Sequence, residues 1–413
     1  MKLQNPTGSG YHTGDYWLPE HNFRPEIRDK YDIPEKVQIY DVSLREIDQT
    51  PGAIMRGEEK IEMAKELGRL GSSEIEIFPI VSNEDYEALK EISSWKDRTF
   101  GTSGLARTIK EDIDIVAECG ADRVTLETPI SMAIGHLYKH DSYDSILNRM
   151  LESIKYAKSL GLKVTCEPWD IGKVPTDFIE RFYKTIAETD ADQIIFADTY
   201  DNLLPWTTYN MVKEINGWVG DSIKVVPHFH NEFGLATANT LAAVAAGCDF
   251  IHGAINSVGE KSGNAAIEEL VVCMELLMGI DTGYNMELFY PVIKKFSQIT
   301  KTGINYNKPI VGRRIFAMGS GLLAEAYNDF TTDEERVALQ PFNPRLIGAP
   351  PMETIWGKGC GAKMIQKHAA KIGIEIDRET AGAIRDKIKH EAMLRKSVLT
   401  EFEAENIIRE FAK

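Results

Sequence analysis

The chain has 413 residues and a formal net charge of −16, an excess of acid that argues against nucleic acid or an anionic membrane as partner. Its five cysteines, Cys119, Cys166, Cys248, Cys273 and Cys360, include no C-x-x-C pair and read as reduced thiols of a cytoplasmic protein. No apolar run approaches the length of a bilayer span, and the polar, aromatic first residues lack a signal-peptide core.

Residues 1–35 are rich in Pro, Gly, His and Tyr and show no periodicity. The aromatics Tyr11, Tyr16, Trp17, Phe23 and Tyr31 favour an ordered extended arm over disorder, packed in this reading on a neighbouring subunit. A rhythm then sets in. Strand-like apolar runs at 37–42, 74–78, 99–102, 123–126, 163–166, 193–197, 223–229 and 250–254 alternate with helical stretches at 57–70, 83–92, 108–119, 142–160, 176–189, 206–216, 237–246 and 264–278. Short apolar strands alternating with amphipathic helices predict a parallel sheet, and eight pairs over about 240 residues is the pattern of a closed (β/α)8 TIM barrel. An open doubly wound sheet is the runner-up, but no G-x-G-x-x-G turn follows the first strand. From about residue 281 the rhythm stops, and short helices are predicted at 289–302, 362–371, 378–395 and 401–411. The expected organisation is an arm at 1–35, an α/β TIM-barrel catalytic domain at 36–280, and a linker with a small helical lid subdomain at 281–413.

In such a barrel the chemistry sits at the C-terminal ends of the strands. Those ends carry Asp41, Ser43, Arg45 and Glu46 after the first strand, Glu76 on the second, Glu167 on the fifth, Asp198 and Thr199 after the sixth, His228 and His230 on the seventh, and Asn256, Glu260, Lys261 and Asn264 after the eighth. His228 and His230 are two apart, so they point from the same face of their strand. Alone, an H-x-H pair is as readily two ordinary strand-end histidines as half a metal site. An acid from the first strand could meet them in a closed barrel, and a carboxylate with two imidazoles suits a catalytic divalent ion with open positions. Arg45 beside it would offer a fixed positive charge to an oxyanion or enolate.

Three motifs in order carry a resemblance. Asp41-Val-Ser-Leu-Arg45-Glu46-Ile-Asp-Gln49-Thr-Pro51-Gly52 resembles the D-x-T-L-R-[DE]-G-x-Q-x-P-G signature of the DRE-TIM metallolyases. His228-Phe-His230-Asn-Glu-Phe-Gly-Leu-Ala236 resembles their H-x-H-N-D-x-G-L-A, and Gly259-Glu-Lys-Ser-Gly-Asn264 their G-E-R-x-G-N. Within that family the chain is most similar to the 2-isopropylmalate, homocitrate and Re-type citrate synthases. The resemblance implies a Claisen-type condensation of an acyl-CoA, usually acetyl-CoA, with a 2-oxo acid, followed by thioester hydrolysis. It implies a divalent metal (Mn, Mg, Zn or Co) held by Glu46, His228 and His230 with Asn264 as a further ligand. It gives catalytic parts to Arg45, Glu76 and Glu167, and substrate-binding parts to Arg45, Gln49, Lys173, Thr199 and Asn256. It also implies a homodimer.

Three departures stand out. Ile47 takes the place of the signature's glycine. Lys173 takes the place of an arginine for a second substrate carboxylate, and lysine lacks the bidentate fork. The histidines of the family's post-barrel F-x-H-x-S-G-x-H stretch are absent from Phe316-Ala-Met-Gly-Ser-Gly-Leu-Leu323, so the usual base for acetyl-CoA is missing. Tyr327, Glu325 and Cys360 are the candidates to replace it, by proximity in sequence. Two alternatives stand beside the synthase reading: an acyl-CoA lyase of the HMG-CoA lyase type, and a barrel that binds a ligand without turnover.

Overall fold

The computed structural model describes residues 11–312 and 314–411. It has two compact units: Glu20–Ile304 forms one, and residues 11–19 with 305–411 form the other. These divisions differ from those expected at 35 and 280. The arm splits in two, and its residues 1–10 lie outside the described residues. Residues 11–19 go with the second unit, where Tyr16 is buried and bridges to Phe342, and the backbone N–H of Asn343 donates to the Asp15 carbonyl at 2.6 Å. Residues 20–35 go with the first unit. There Phe23 is buried, the Asp32 N–H donates to the Ala245 carbonyl at 2.9 Å, and Tyr31 packs edge-on against Tyr209. The described part of the arm therefore packs within its own chain. The second division moves because helix Phe289–Thr300 still belongs to the first unit: Lys295 pairs with Glu62 at 2.6 Å and Glu66 at 2.9 Å on helix Gly57–Leu70.

The first unit is a (β/α)8 barrel. Its strands are β1 (Gln38–Asp41), β2 (Glu74–Ile77), β3 (Gly101–Arg107), β4 (Arg123–Pro129), β5 (Lys163–Trp169), β6 (Gln193–Asp198), β7 (Lys224–Phe229) and β8 (Phe250–Gly253). They pair in parallel in the order β7-β6-β5-β4-β3-β2-β1-β8. Each strand lies beside its neighbour in sequence, as consecutive right-handed β/α units require. Between β7 and β8 the seam is closed by the Ala265 N–H, which donates to the Phe229 carbonyl at 3.2 Å. A side-chain contact also crosses it, with His228 Nδ1 3.1 Å from His252 Nδ1. Helices cover the outside through apolar stripes; in Gly57–Leu70 the buried positions Met63, Ala64, Leu67 and Leu70 recur at three- and four-residue spacing.

The third strand runs over 101–107 instead of 99–102. Its Gly-Thr-Ser-Gly start is a poor strand former by composition. The packing requires it, because a Cβ on Gly104 would come within 2.6 Å of Val116 on the covering helix. β4 and β5 also run three residues further than expected, which carries Glu127, Glu167 and Trp169 to the C-terminal end of the barrel. The last barrel helix starts at Ile267, not 264, and Asn264 lies in an extended bridge with His230.

The second unit is helical, with helices Gly321–Asp329, Ala362–Lys371, Arg378–Arg395 and Glu401–Phe411. Trp356, Ile365, Ile384, Ile388, Leu399 and Ile408 belong to its core. Among the described residues no helix is long and apolar enough to cross a membrane.

Candidate metal centre and cleft

After β1 the chain makes one helical turn, Ser43–Glu46. Asp41 is spent on that turn: its carboxylate accepts the Ser43 N–H and the Ser72 hydroxyl, each at 2.9 Å. Burial lifts Asp41 to about 6. The Ser43 hydroxyl oxygen in turn accepts the Ile255 N–H at 2.8 Å, tying the turn to the end of β8. Of the two acids after the first strand, Glu46 is therefore the one left to face the histidines.

Glu46, His228 and His230 are all buried and each offers one ligand atom, all within 4.8 Å of one another. His228 Nε2 lies 3.7 Å from Glu46 Oε1 and 3.4 Å from His230 Nε2. Burial depresses both imidazoles, His230 to about 3, and the nearby Lys261 and Arg45 push it the same way. Both rings are thus neutral at physiological pH, the form that ligates metal. Asn264 joins the cluster through the glycine beside it. A Cβ at Gly259, whose φ is +141°, would sit 2.2 Å from Asn264 Nδ2 and 2.8 Å from Glu46 Oε2. Only glycine lets the 259–264 loop close over these two side chains. Glu46 Oε2, His230 Nδ1 and Asn264 Oδ1 are buried with no hydrogen-bond partner. Buried polar atoms are normally satisfied. A carboxylate oxygen and an amide oxygen left over beside two neutral imidazoles are the donor set of a divalent cation, and the residues present fit one.

Arg45, also buried, is held from three sides. Its Nε donates to Glu76 Oε1 at 2.9 Å, its Nη1 donates to Glu46 and to Gln49 at 3.2 Å, and its Nη2 lies 3.6 Å from Glu167 Oε1. Burial works against the charge, but the three carboxylates more than restore it and raise the guanidinium above its usual value. Nη2 makes no hydrogen bond, which leaves one donor for a ligand. Glu76 is fully used, taking Arg45 on one oxygen and the hydroxyls of Tyr40 at 3.0 Å and Thr125 at 2.5 Å on the other. It does not line the cleft. Expected to be catalytic, it is placed to position Arg45.

The cluster opens on a cleft of about 460 Å³. Of the expected residues, Arg45, Gln49, Glu167, Thr199, His228 and His230 line it. Thr199 spends its hydroxyl oxygen on the Asp170 N–H at 2.9 Å. Burial lifts Glu167 to about 8 against the pull of Arg45, so its carboxyl is largely protonated near neutrality.

Two expected substrate contacts lie elsewhere. Lys173, in the short turn Ile171–Lys173 after β5, is partly exposed, pairs with Asp170 at 3.0 Å and lies over the Tyr200 ring. Asn256 gives its amide N–H to the Gly303 carbonyl at 2.9 Å, so it anchors the end of the barrel. Tyr327 and Glu325 belong to the second unit, where Tyr327 lies beneath the Arg336 guanidinium and Glu325 pairs with Lys363. Cys360 is a buried thiol of that unit's core.

The sequence reading missed Arg107, Glu127 and Trp169, which also line the cleft. Arg107 is held by Asp112 at 2.7 and 3.0 Å. Glu127 accepts from Trp169 Nε1 at 2.6 Å and the Tyr138 hydroxyl at 3.0 Å, and burial raises it. The one available signal was strand length: had β3 to β5 been drawn to their full extent, all three would have stood at strand ends.

A parallel (β/α)8 barrel with an acid from β1 and two imidazoles from β7 beside a caged arginine defines a barrel enzyme with a candidate metal centre. The HMGL-like family pattern matches residues 36–294, and the chain belongs to that family, the DRE-TIM group. It is 33% identical to a 2-isopropylmalate synthase of Methanocaldococcus jannaschii over 361 residues, 87% of this chain and 68% of that one. It is 30% identical to a homocitrate synthase (AksA) of Methanothermobacter thermautotrophicus over 91% of this chain and 93% of that one. The HMG-CoA lyase structure from Bacillus subtilis superposes with a TM-score of 0.59 at 20% identity, covering 67% of this chain and 97% of that one. At that identity it bears on the fold alone.

Proposed function

We propose that the protein condenses an acyl-CoA, acetyl-CoA first among them, with a 2-oxo acid, releasing CoA and a 2-hydroxy di- or tricarboxylate. The observation that carries this is the cluster of Glu46, His228, His230 and Asn264 beside Arg45 at the cleft, on a chain whose relatives are named as such synthases. Those four residues would hold a divalent ion, which as a Lewis acid polarises the oxo-acid carbonyl. Two nitrogens with oxygens favour Mn, Zn or Co over Mg, which prefers an all-oxygen shell.

In the reaction a C–H bond of the acetyl methyl breaks and its carbon bonds to the keto carbon. The keto oxygen becomes a hydroxyl, and water then cleaves the C–S bond to give a carboxylate and a thiol. Arg45 Nη2, which makes no hydrogen bond, would be the donor to oxygen where negative charge develops. Glu167, tuned to about 8, can hold or release a proton near neutral pH, as a general acid–base must. Tyr327 is raised above its ordinary value by burial, and it belongs to the second unit with the Arg336 guanidinium over its ring, so no proton transfer in the cleft is assigned to it. Arg107 gives the cleft a second cation and favours a 2-oxo dicarboxylate. A cytoplasmic homodimer is part of the same reading, with sedimentation as its check.

The test is thiol release from acetyl-CoA by metal-loaded protein across 2-oxo mono- and dicarboxylates. One oxo acid should raise it well above background hydrolysis. Uniform silence, with one metal equivalent bound, overturns the proposal.

Glu167→Gln should lower kcat by about 10²-fold or more and remove the limb of the pH–rate profile that the wild-type group, raised by burial above the usual carboxylate range, sets. Stability has a definite sign as well. The folded value lies above the unfolded value near 4.5, so the folded protein binds this proton more tightly. Its contribution is full below about pH 4.5 and is lost as pH rises through about 8. Melting profiles of Glu167→Gln should show a shallower decline across that window.

A further inference from the structure

We propose that His252 is a positioning residue that fixes the tautomer of His228 and so presents the Nε2 lone pair of His228 to the metal. The inference rests on the metal-dependent reading above.

His252 lies in β8, in register with Tyr40 of β1, and is 1% exposed. Its ring lies 4.5 Å from the Tyr40 ring, tilted by 36°, and 5.2 Å from the His228 ring at 88°. The two Nδ1 atoms are 3.1 Å apart. At that distance one nitrogen must carry a proton and the other a lone pair, since two neutral acceptors or two donors would repel.

His228 Nε2 faces the cluster, toward Glu46 Oε1 and His230 Nε2. It can ligate only while its lone pair is free, which places the His228 proton on Nδ1. That proton is then donated to His252 Nδ1, and His252 carries its own proton on Nε2, which has no partner. In the opposite arrangement His252 donates, and the His228 proton sits on Nε2 where it blocks ligation. Tyr40 limits rotation of the His252 ring, and the Tyr40 hydroxyl is itself fixed by Glu76 and Thr125. A ligating histidine whose other nitrogen is held by a fixed partner is the usual outer shell of a metal site. Here the partner is a second imidazole from the strand across the barrel seam.

The test compares His252→Leu, which fills similar space without an acceptor, with His252→Gln, whose amide oxygen can accept from His228 Nδ1–H. Zinc affinity is measured by chelator competition and folding by melting of the metal-free proteins. His252→Leu should bind zinc about 10- to 100-fold more weakly, and His252→Gln should recover most of the loss. In zinc-loaded wild type, 15N spectra of the histidines should show His228 protonated at Nδ1. A role confined to closing the seam would lower the melting temperature of both variants and leave zinc affinity of the folded fraction unchanged, which overturns the inference. So would wild-type affinity in His252→Leu, or a His228 proton on Nε2 if the Leu variant does not fold. If wild type binds no zinc at Glu46, His228 and His230, the metal-dependent reading fails and takes this inference with it. Intact wild-type binding with an indifferent His252 sinks this inference alone.

Discussion

Glu46→Gln is expected to abolish divalent-metal binding and the CoA-releasing turnover that depends on it. Glu46 is the only carboxylate of the barrel cluster, facing two histidines that burial keeps neutral. The amide keeps the shape but removes the charge, so the cation loses its one anionic ligand in a site where charge is poorly screened. Lewis-acid stabilisation of this kind supplies several kcal/mol, so kcat/KM should fall by about 10³-fold or more. Melting separates this effect from misfolding. Metal at about 100 times its Kd should add ~2.7 kcal/mol to wild type, which isothermal or melting titrations resolve. The variant should gain nothing from metal while its metal-free melting temperature stays near wild type, since Arg45 still has Glu76 and Glu167. His230→Ala should behave likewise. A Glu46→Gln protein that binds and melts with metal as wild type does would remove this cluster from the chemistry.

The barrel was legible because its strands and helices repeat with two distinct periods, and because short connections leave little freedom in how the units stack. Helices 57–70, 362–371, 378–395 and 401–411 fall where their patterns end. The convergence of Glu46, His228 and His230 on one candidate metal centre was legible from two spacings, an acid one residue after Arg45 and an H-x-H on one strand face. Less legible was everything set by side-chain direction. Lys173 and Asn256 sit at strand ends in sequence, with left-handed backbone at Asp170 (φ +66°) and at Asn256 itself (+56°), but their side chains are taken by Asp170 and the Gly303 carbonyl and neither lines the cleft. Arg107 was missed because β3 begins with small residues that hide its length. Lys60 was missed because a lysine on a helix reads as solvated. It is fully buried between Asp48 at 2.5 Å and Asp85, and it pins the loop that follows Glu46. Each is a tertiary decision that local pattern does not carry.

Arg45 should prove the residue whose loss costs most in both stability and rate. It stands among Glu46, Glu76 and Glu167, all nearly or fully buried. Removing one partner of a buried ionic group strands the others, at about 3–5 kcal/mol. Arg45→Ala is therefore expected to melt well below wild type, and the deficit should depend on pH with a definite sign. Arg45 is the leading influence holding Glu167 down against its burial; without it the folded-state value climbs further above the unfolded one. The folded variant then holds its proton more tightly than the unfolded chain, so stability is best preserved in acid and is lost progressively as pH rises toward and past 8. The melting deficit against wild type should be larger at pH 8 than at pH 5.5. Arg45→Lys keeps a charge but not the planar fork, which here reaches Glu76 through Nε, Glu46 and Gln49 through Nη1, and lies 3.6 Å from Glu167 through Nη2. Lysine should recover part of the stability at high pH. It should recover little of the rate, with kcat about 10²- to 10³-fold down, the cost of losing a preorganised donor to developing negative charge. An Arg45→Ala protein as stable as wild type at pH 8, with no slope between the two pH values, would mean that these carboxylates do not depend on the guanidinium at all.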